Sequence, residues 1–250
     1  MTDTRAPSDH LYFRQLLAGR DFARGDELAR QMVNFAYLVG DRDTGECFAI
    51  DPAYGVGELV ELAGVDDMRI TGVLVTHYHP DHVGGSMMGY RIEGLKELLE
   101  LGVEAKVHVQ AEEAWGTKRV TGLGDRDLVE HRSGDVIQVG GVEITLIHTP
   151  GHTPGSQCFL VAEPDAPDKL VSGDTLFLEG CGRTDLPGGD ADQLYESLHT
   201  RLAVVPDDAW LYPGHLYAPE PSAPMGVVRE RNYVYRLRTR EQWNVMFGDG

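Results

Sequence analysis

The chain has 250 residues and a formal net charge of −18, from 40 acidic and 22 basic residues. This length can bury a sizeable core, and no linker of unusual composition divides it, so we expect a single domain over residues 1–250. The acidic balance opposes nucleic-acid binding, because a surface that follows phosphates must be basic.

Apolar patterning predicts both strands and helices in the first half of the chain. The turn at residues 41–45 joins two of the strands into a hairpin. Residues 116–132 show no strong period, and we predict either a surface loop or a lid beside a site. The predicted strands are His10–Leu17, Val33–Val39, Glu46–Ile50, Ile70–Val75 and Ala105–Val109, and the predicted helices are Val56–Ala63, Ile92–Leu101 and Ala111–Trp115.

The second half repeats this alternation. Asp190 is predicted to cap a helix with Gln193 as its capping-box partner, and Leu194, Leu198 and Leu202 form its buried side. A C-terminal helix over Met225–Arg240 would form a short helical tail from about residue 222. The two successions of hairpin strands and helices suggest two similar halves packed face to face. The predicted strands are Asp135–Val139, Val142–His148, Gln157–Ala162, Lys169–Ser172 and Ala209–Tyr212.

The N-terminal residues and the cysteines indicate the cellular compartment. Residues 1–30 carry charges throughout and lack the apolar region of a signal peptide, and nowhere do about 18 apolar residues run together. Cys47, Cys158 and Cys181 are widely spaced and form no Cys-x-x-Cys pair, so they are interpreted as reduced thiols. We therefore expect a soluble cytoplasmic protein with no membrane partner.

A dense group of ligand-type side chains follows the predicted strand Ile70–Val75. His77, His79, Asp81 and His82 cannot share one face of a helix or strand, so we predict a loop that folds around a metal ion. Imidazole and carboxylate ligands suit zinc, iron or manganese. A solvated polar turn is the alternative, and the ligands supplied later in the chain disfavour it.

Three further ligand-type residues each follow a predicted strand and a glycine: His152, Asp174 and His215. Glycine lets the backbone turn tightly there without a Cβ clash. The seven groups contain no cysteine and exceed the four ligands of a closed structural zinc site. Two divalent ions fit better, with a carboxylate bridging them and open positions for a water or hydroxide.

These motifs, Thr-His-x-His-x-Asp-His followed by Gly-His, Gly-Asp and Gly-His, resemble the metallo-β-lactamase superfamily from the Val33–Asp51 hairpin to His215. The resemblance implies an α/β fold, a four-layer αββα sandwich of two mixed β-sheets flanked by helices, with the site at one edge. It also implies that His77, His79 and His152 bind one ion, that Asp81, His82 and His215 bind the second, and that Asp174 bridges them.

The segment from Ser172 to Asp185 is similar to two branches of that superfamily. One is glyoxalase II, the hydroxyacylglutathione hydrolases, and the other is the persulfide dioxygenases. Gly-Cys-Gly-Arg at 180–183 occurs in both, whereas Arg-Thr-Asp at 183–185 is closer to the dioxygenases and the wider glyoxalase-II-like group. The glutathione-binding C-terminal helices of glyoxalase II are not evident, which leaves the thiol carrier open.

The first functional hypothesis is a hydrolase in which a metal-bound hydroxide cleaves a thioester. Asp81 would orient that hydroxide as well as bind metal, and the thiolate leaving group needs no strong general acid because its conjugate acid has a pKa near 8.5. Arg183 would pair with a substrate carboxylate, or with Asp185 or Asp190 inside the protein. The substrate would be a small thiol-derived molecule, and both monomer and homodimer stay open.

The second hypothesis is a dioxygenase with a single Fe(II) that acts on a glutathione-type persulfide. The resemblance implies that His77, His152 and Asp174 would form its two-histidine, one-carboxylate triad. Lactone hydrolysis is a third enzymatic option. A catalytically silent metal-binding module is the alternative from a different class, and it would bind metal without turning over a thioester, lactone or persulfide.

Overall fold

The computed structural model describes residues 10–163 and 165–248. Apolar strands within these residues pair into two six-stranded sheets and one two-stranded hairpin. The strands are β1 (Leu11–Leu17), β2 (Phe35–Asp41), β3 (Glu46–Ile50), β4 (Arg69–Leu74), β5 (Gly85–Met87), β6 (Tyr90–Ile92), β7 (Lys106–Gln110), β8 (Leu128–His131), β9 (Val136–Val139), β10 (Val142–His148), β11 (Gln157–Val161), β12 (Lys169–Gly173), β13 (Trp210–Pro213) and β14 (Ala223–Pro224).

Both large sheets mix parallel and antiparallel pairs. The first has the order β1-β2-β3-β4-β7-β8 and the second β14-β13-β12-β11-β10-β9. In the first sheet β3, β4, β7 and β8 run parallel, and in the second β12 runs parallel to β13. Carboxyl ends of parallel neighbours lie at the same sheet edge, so the loops after these strands converge there.

Helices cover the outer faces of both sheets. They are α1 (Glu27–Met32), α2 (Val56–Val65), α3 (Pro80–Val83), α4 (Leu95–Glu100), α5 (Ala114–Thr121), α6 (Ala191–Glu196), α7 (Met225–Arg231) and α8 (Arg240–Phe247). The helices α1 to α5 lie against the first sheet and α6 to α8 against the second.

Alternation along β2 shows how the layers are held together. Phe35, Tyr37 and Val39 point into the core between the sheets, where they join residues of the second sheet. Ala36 and Leu38 point the other way, into the core beneath the helices. Successive side chains of a strand face opposite sides, so a strand between two layers is apolar throughout. The predicted four-layer αββα sandwich is confirmed.

The histidine spacing predicts a loop over residues 77–82, but only part of this segment is a loop. His77 lies outside helices and strands and His79 has extended backbone, but Pro80–Val83 form the single helical turn α3. Proline fixes a φ angle that suits the first position of a helix and has no N–H to leave unpaired, so Pro80 starts this turn. Asp81 and His82 are therefore carried by the helical turn.

The predicted helix Ile92–Leu101 begins three residues later than the apolar spacing indicated. Ile92 ends strand β6, and α4 starts at Leu95 after Gly94. The Glu97 carboxylate accepts the Gly94 N–H at 2.9 Å and so caps the helix. Ile92 is buried as a residue of strand β6. Its helical spacing to Leu95 and Leu98 therefore does not reflect a shared helix.

Residues 116–132 are not a surface loop, because they contain most of a helix and a strand, and the alternative of a lid beside the site stays a prediction. Helix α5 continues to Thr121, and Leu128–His131 form strand β8, which pairs with β7. A Cβ on Gly116 would lie 2.3 Å from the Tyr78 ring, so glycine allows the helix to pack closely on the metal-binding segment. This long-range contact is not visible in the local period.

The predicted C-terminal helix Met225–Arg240 is broken. Helix α7 ends at Arg231, a 3₁₀ turn covers Tyr233–Arg236, and α8 begins at Arg240. Asn232 causes the break, because its side-chain amide donates to the carbonyl oxygens of Phe177 and Gly180 and its Oδ1 accepts the Gly180 N–H. The tail is thereby tied to the loop that follows β12.

Asp190 caps α6 as predicted, but Gln193 does not close a capping box, because the Asp190 backbone N–H donates to the Gly151 carbonyl oxygen. Asp190 accepts the Gln193 backbone N–H at 2.9 Å, and the Gln193 side-chain amide donates to Asp190 at 2.7 Å. The three leucines predicted for the buried side are all buried: Leu194, Leu198 and Leu202. No helix within residues 10–163 and 165–248 combines the length and the apolar character needed to cross a membrane.

Candidate metal centre

Loops after four strands bring the seven predicted ligands together. His77 and His79 follow β4, His152 follows β10, Asp174 follows β12 and His215 follows β13. The glycines before Asp174 and His215 let the two loops lie close together. Gly173 has a φ of +50°, and a Cβ on Gly214 would lie 2.3 Å from Asp174 Oδ1.

The first group consists of His77, His79 and His152. Their ligand atoms lie within 4.8 Å of one another. His79 Nδ1 and His152 Nε2 are 3.0 Å apart, and His77 Nε2 is buried without a hydrogen-bond partner among the described residues. A buried polar atom that lacks a partner is costly, whereas an ion bound between the three rings would satisfy it.

The second group consists of Asp81, His82 and His215. The two Nε2 atoms are 3.2 Å apart, and Asp81 Oδ2 is 3.6 Å from His82 Nε2 and 3.5 Å from His215 Nε2. All three side chains are buried. A carboxylate oxygen and two imidazole nitrogens at these separations form a second donor set for a divalent ion.

Asp174 lies between the two groups. Its Oδ2 is 3.3 Å from His215 Nε2 and 3.7 Å from His152 Nε2, and its Oδ1 is 3.4 Å from His82 Nε2. Oδ1 is buried and accepts no hydrogen bond from the part of the chain that is described. Its carboxylate therefore faces both donor sets, as a group that bridges two ions must.

The far nitrogen of three ligand rings is fixed by an acceptor. His152 Nδ1 is 2.8 Å from the Arg183 carbonyl oxygen, and His215 Nδ1 is 2.7 Å from the Met32 carbonyl oxygen. His82 Nδ1 is 3.0 Å from Asp51 Oδ2. Each acceptor receives a hydrogen bond from the N–H at Nδ1. The unprotonated Nε2 is then free to bind a metal ion, and the hydrogen bond fixes the orientation of the ring.

A family model described as the metallo-beta-lactamase superfamily matches residues 30–215, which include all seven candidate ligands. The chain belongs to this superfamily. Its relatives include enzymes of both branches predicted from the sequence, and they are similar over most of this chain.

A hydroxyacylglutathione hydrolase of Polaromonas sp. strain JS666 is 40% identical over 185 residues, 74% of this chain and 62% of that protein. The human mitochondrial persulfide dioxygenase ETHE1 is 29% identical over 216 residues, 82% of this chain and 74% of that protein. A probable polyketide biosynthesis zinc-dependent hydrolase, BaeB of Bacillus velezensis, is 27% identical over 84% of this chain and 85% of its own length.

Solved structures share the fold. The crystal structure of ETHE1 from Myxococcus xanthus has a TM-score of 0.74 and 27% identity, and it covers 95% of this chain and 90% of its own. The di-iron-bound form of TTHA1623 has a TM-score of 0.60 and 27% identity, with 80% of this chain and 94% of its own covered. Metallo-beta-lactamase proteins thus include zinc-dependent and di-iron members, and the donor set here suits either metal.

The histidine pKa values differ between the two donor sets of this metallo-beta-lactamase superfamily member. Burial and the neighbouring His152 ring lower the pKa of His79 to about 4, and burial, with the neighbouring His82 ring, holds the pKa of His77 well below its usual range. Burial also disfavours a charged His82 ring, but the carboxylates of Asp174 and Asp81 outweigh it and raise the pKa of His82 to about 10. The first group thus presents neutral rings at pH 7, whereas an ion in the second group must displace a proton.

Three residues near the centre were not predicted from the sequence. Asn34 Nδ2 donates to Asp81 Oδ2 at 3.1 Å, and Asn34 Oδ1 accepts from the Tyr54 hydroxyl at 3.2 Å. Asp51 accepts hydrogen bonds from Thr76 and holds His82. Asp51 directly follows β3, which is the position that could have identified it.

The third unpredicted residue is Glu113, whose side chain is fully buried. Its carboxylate accepts the backbone N–H groups of Tyr78 and Gly155 at 2.6 and 2.7 Å and the Thr153 hydroxyl at 2.8 Å. Burial raises the pKa of Glu113 to about 7, although these donors favour the charged form. Glu113 joins the loop that carries His77 and His79 to the loop that carries His152.

A pocket of about 760 Å³ opens above the centre and is lined by five of the candidate ligands, His79, Asp81, His152, Asp174 and His215. Arg183 also lines the pocket, and its guanidinium forms two hydrogen bonds to the Asp185 carboxylate at 2.9 and 2.7 Å. The internal ion pair that the sequence left open is therefore present. Exposed pairs of this kind are weak, so the substrate-binding role of Arg183 stays a prediction.

Proposed function

We propose that this chain is a metal-dependent hydrolase that binds two divalent ions, zinc or iron, and cleaves a thioester of a small thiol. The observation that carries the proposal is the position of Asp174, whose carboxylate lies 3.7 Å from His152 Nε2 in the first donor set and 3.4 and 3.3 Å from His82 Nε2 and His215 Nε2 in the second. The second donor set beside this carboxylate supports a second ion, and the number of ions bound per chain is the measurement that separates this proposal from a one-ion site.

The ligands divide between the two positions as the clusters indicate. His77, His79 and His152 would hold one ion, and a second would lie among Asp81, His82 and His215, with Asp174 shared. Two bound ions would lower the pKa of a water between them and polarise the thioester carbonyl. The buried, unpartnered His77 Nε2 and Asp174 Oδ1 fit this use as ligands.

Residues of the chain would orient the attacking water. Asp81 belongs to the second donor set and also lines the pocket, so its carboxylate is placed to accept a hydrogen bond from the attacking water and orient it. Asn34 keeps Asp81 in position through its amide. The thiolate that leaves is a weak base, so the site needs no dedicated general acid.

A second candidate function is a persulfide dioxygenase with one Fe(II). Two observations favour it. His77, His152 and Asp174 provide the two imidazoles and one carboxylate that such iron centres use, with Asp174 Oδ2 3.7 Å from His152 Nε2. The human persulfide dioxygenase is 29% identical over 82% of this chain.

One experiment separates the two functions. The protein is purified without oxygen, its metals are measured by elemental analysis, and thioester hydrolysis and persulfide-dependent oxygen uptake are assayed in parallel. Two ions per chain and hydrolysis that needs no oxygen support the proposal. One iron per chain with oxygen uptake and no hydrolysis supports the dioxygenase, and bound metal without any turnover, of a lactone included, supports a silent module.

A further inference from the structure

One wall of the pocket is apolar and partly exposed. Met87 and Met88 come from the β5–β6 hairpin, and Trp115 and Val120 come from α5. Met88 is 80% exposed and Trp115 is 66% exposed, far more than side chains of their size usually are. An apolar surface of this kind at the mouth of a pocket is typical of a ligand-binding wall.

The wall is packed directly onto the metal-binding segment. Gly116 of α5 lies against the Tyr78 ring, and Tyr78 stands between His77 and His79. The Tyr78 hydroxyl donates to the Pro187 carbonyl oxygen at 3.0 Å on the other side. A ligand on this wall is therefore held at a fixed position relative to the metal centre.

Arg119 supplies a positive charge on this wall. Its guanidinium carbon lies 5.1 Å from the centroid of the Trp115 ring, and the side chain is exposed at the pocket. Within residues 10–163 and 165–248, Arg119 forms no ion pair with a carboxylate. In a chain of net charge −18, a guanidinium beside a site and without a carboxylate partner is available for an anionic ligand.

We propose that Arg119, Trp115 and Met88 form a substrate subsite for a thiol-derived ligand with an apolar segment that ends in a carboxylate. The apolar segment packs on Trp115 and Met88, and the carboxylate pairs with the Arg119 guanidinium. The inference rests on the proposed function in one respect, since it places the sulfur end of the ligand at the metal centre.

The test uses binding without turnover. The metal-loaded protein is titrated with the S-methyl thioether of ω-mercaptohexanoate and with the matching terminal amide, and binding is followed by calorimetry and by Trp115 fluorescence. We expect the carboxylate to bind about two- to fivefold more tightly than the amide, the size of one ion pair at an exposed guanidinium. Arg119→Ala should bring this ratio close to one, and Trp115→Phe should remove most of the fluorescence change.

Lys118→Ala is the matched control. Lys118 neighbours Arg119 on α5 and pairs with Asp125 instead of lining the pocket, so this variant should keep the carboxylate preference. Carboxylate preference that survives Arg119→Ala would overturn the subsite, because the carboxylate would then bind elsewhere, for example at the metal ions. An equal affinity of the wild type for both thioethers would overturn it too.

Hydrolysis of the corresponding acetyl thioesters separates this inference from the proposed function. Thioether binding that depends on Arg119, with no hydrolysis of either thioester, would leave the subsite in place and contradict the hydrolase. Equal hydrolysis of the carboxylate and amide thioesters would support the hydrolase and contradict the subsite.

Discussion

The Glu113 carboxylate accepts a 2.6 Å hydrogen bond from the backbone N–H of Tyr78, the residue between His77 and His79. The same carboxylate accepts from Thr153 and Gly155, next to His152. One buried side chain thus sets the separation of the two loops that form the first metal position. The candidate first metal position is therefore supported by a residue that is not itself a candidate ligand.

Glu113→Gln is expected to weaken metal binding at the first position. The glutamine side chain keeps only one acceptor oxygen, so its NH2 group would face the backbone N–H of either Tyr78 or Gly155, and this repulsion would push the loops apart. Partners of this kind typically cost about 10 to 100-fold in metal affinity. Competition with a chelator measures the dissociation constants, and the exposed neighbour substitution Glu112→Gln is the control. Equal affinities in both variants would show that Glu113 does not position the loops.

His152→Ala removes a nitrogen ligand from the first position. We expect the variant to lose at least one metal equivalent per chain and its hydrolytic activity together, because the first position would keep only His77, His79 and the shared Asp174 carboxylate. Elemental analysis after gel filtration and a thioester assay measure both. Full activity in this variant would show that the ligand assignment is wrong.

Cys181→Ser should leave the metal content unchanged. Cys181 lines the pocket but belongs to none of the described groups whose ligand atoms lie close enough to hold an ion. Burial raises the pKa of the Cys181 thiol to about 12, which also disfavours the thiolate that binds metals. The comparison is metal per chain in the variant and the wild type. A large loss of metal from the variant would refute the seven-residue ligand list.

Acid should destabilise the protein partly through His108, which lies away from the metal centre. Its ring stacks on Phe48, and its Nδ1 is 2.8 Å from His131 Nε2. Burial and the His131 ring lower the pKa of His108 from 6.5 to about 4. Between these values the unfolded chain binds a proton that the folded chain does not, so stability is complete above about pH 6.5 and falls as the pH drops toward 4.

His108→Gln should therefore reduce the slope of the unfolding free energy against pH in this range. The reduction should be at most the slope that one bound proton contributes, about 1.4 kcal/mol per pH unit. Urea unfolding of metal-free protein at several pH values from 4.5 to 7.5 measures the slope, and each variant is compared with its own stability at pH 7.5. The ligand histidines contribute equally to both proteins and cancel in the difference. Identical slopes would show that His108 does not contribute.

The seven candidate ligands can be predicted from the sequence because each signal is local. Four of them lie in one dense run directly after an apolar strand, and the other three each follow a glycine shortly after a strand. The pairing of parallel strands then brings such loops to one edge. The local structure differs from the prediction only at Asp81 and His82, which lie on a helical turn and not in a loop.

The residues that support the ligands could not be predicted in the same way. Glu113 resembles any acidic residue of a short helix until Tyr78 and Gly155 are seen to donate to it. Helix α5 was not recognised because its glycine and threonines are poor helix formers, and its packing on Tyr78 is a long-range contact. Asn232 breaks the C-terminal helix for the same kind of reason, through bonds to a distant loop.

Stepwise metal loading tests the central claim most directly. Metal-free protein is titrated with zinc or with Fe(II) under nitrogen, and thioester hydrolysis is measured after each addition. The two-ion account predicts that hydrolysis rises only as the second equivalent per chain binds and that oxygen makes no difference. Full hydrolysis at one equivalent, or turnover that occurs only with iron, oxygen and a persulfide, would contradict it.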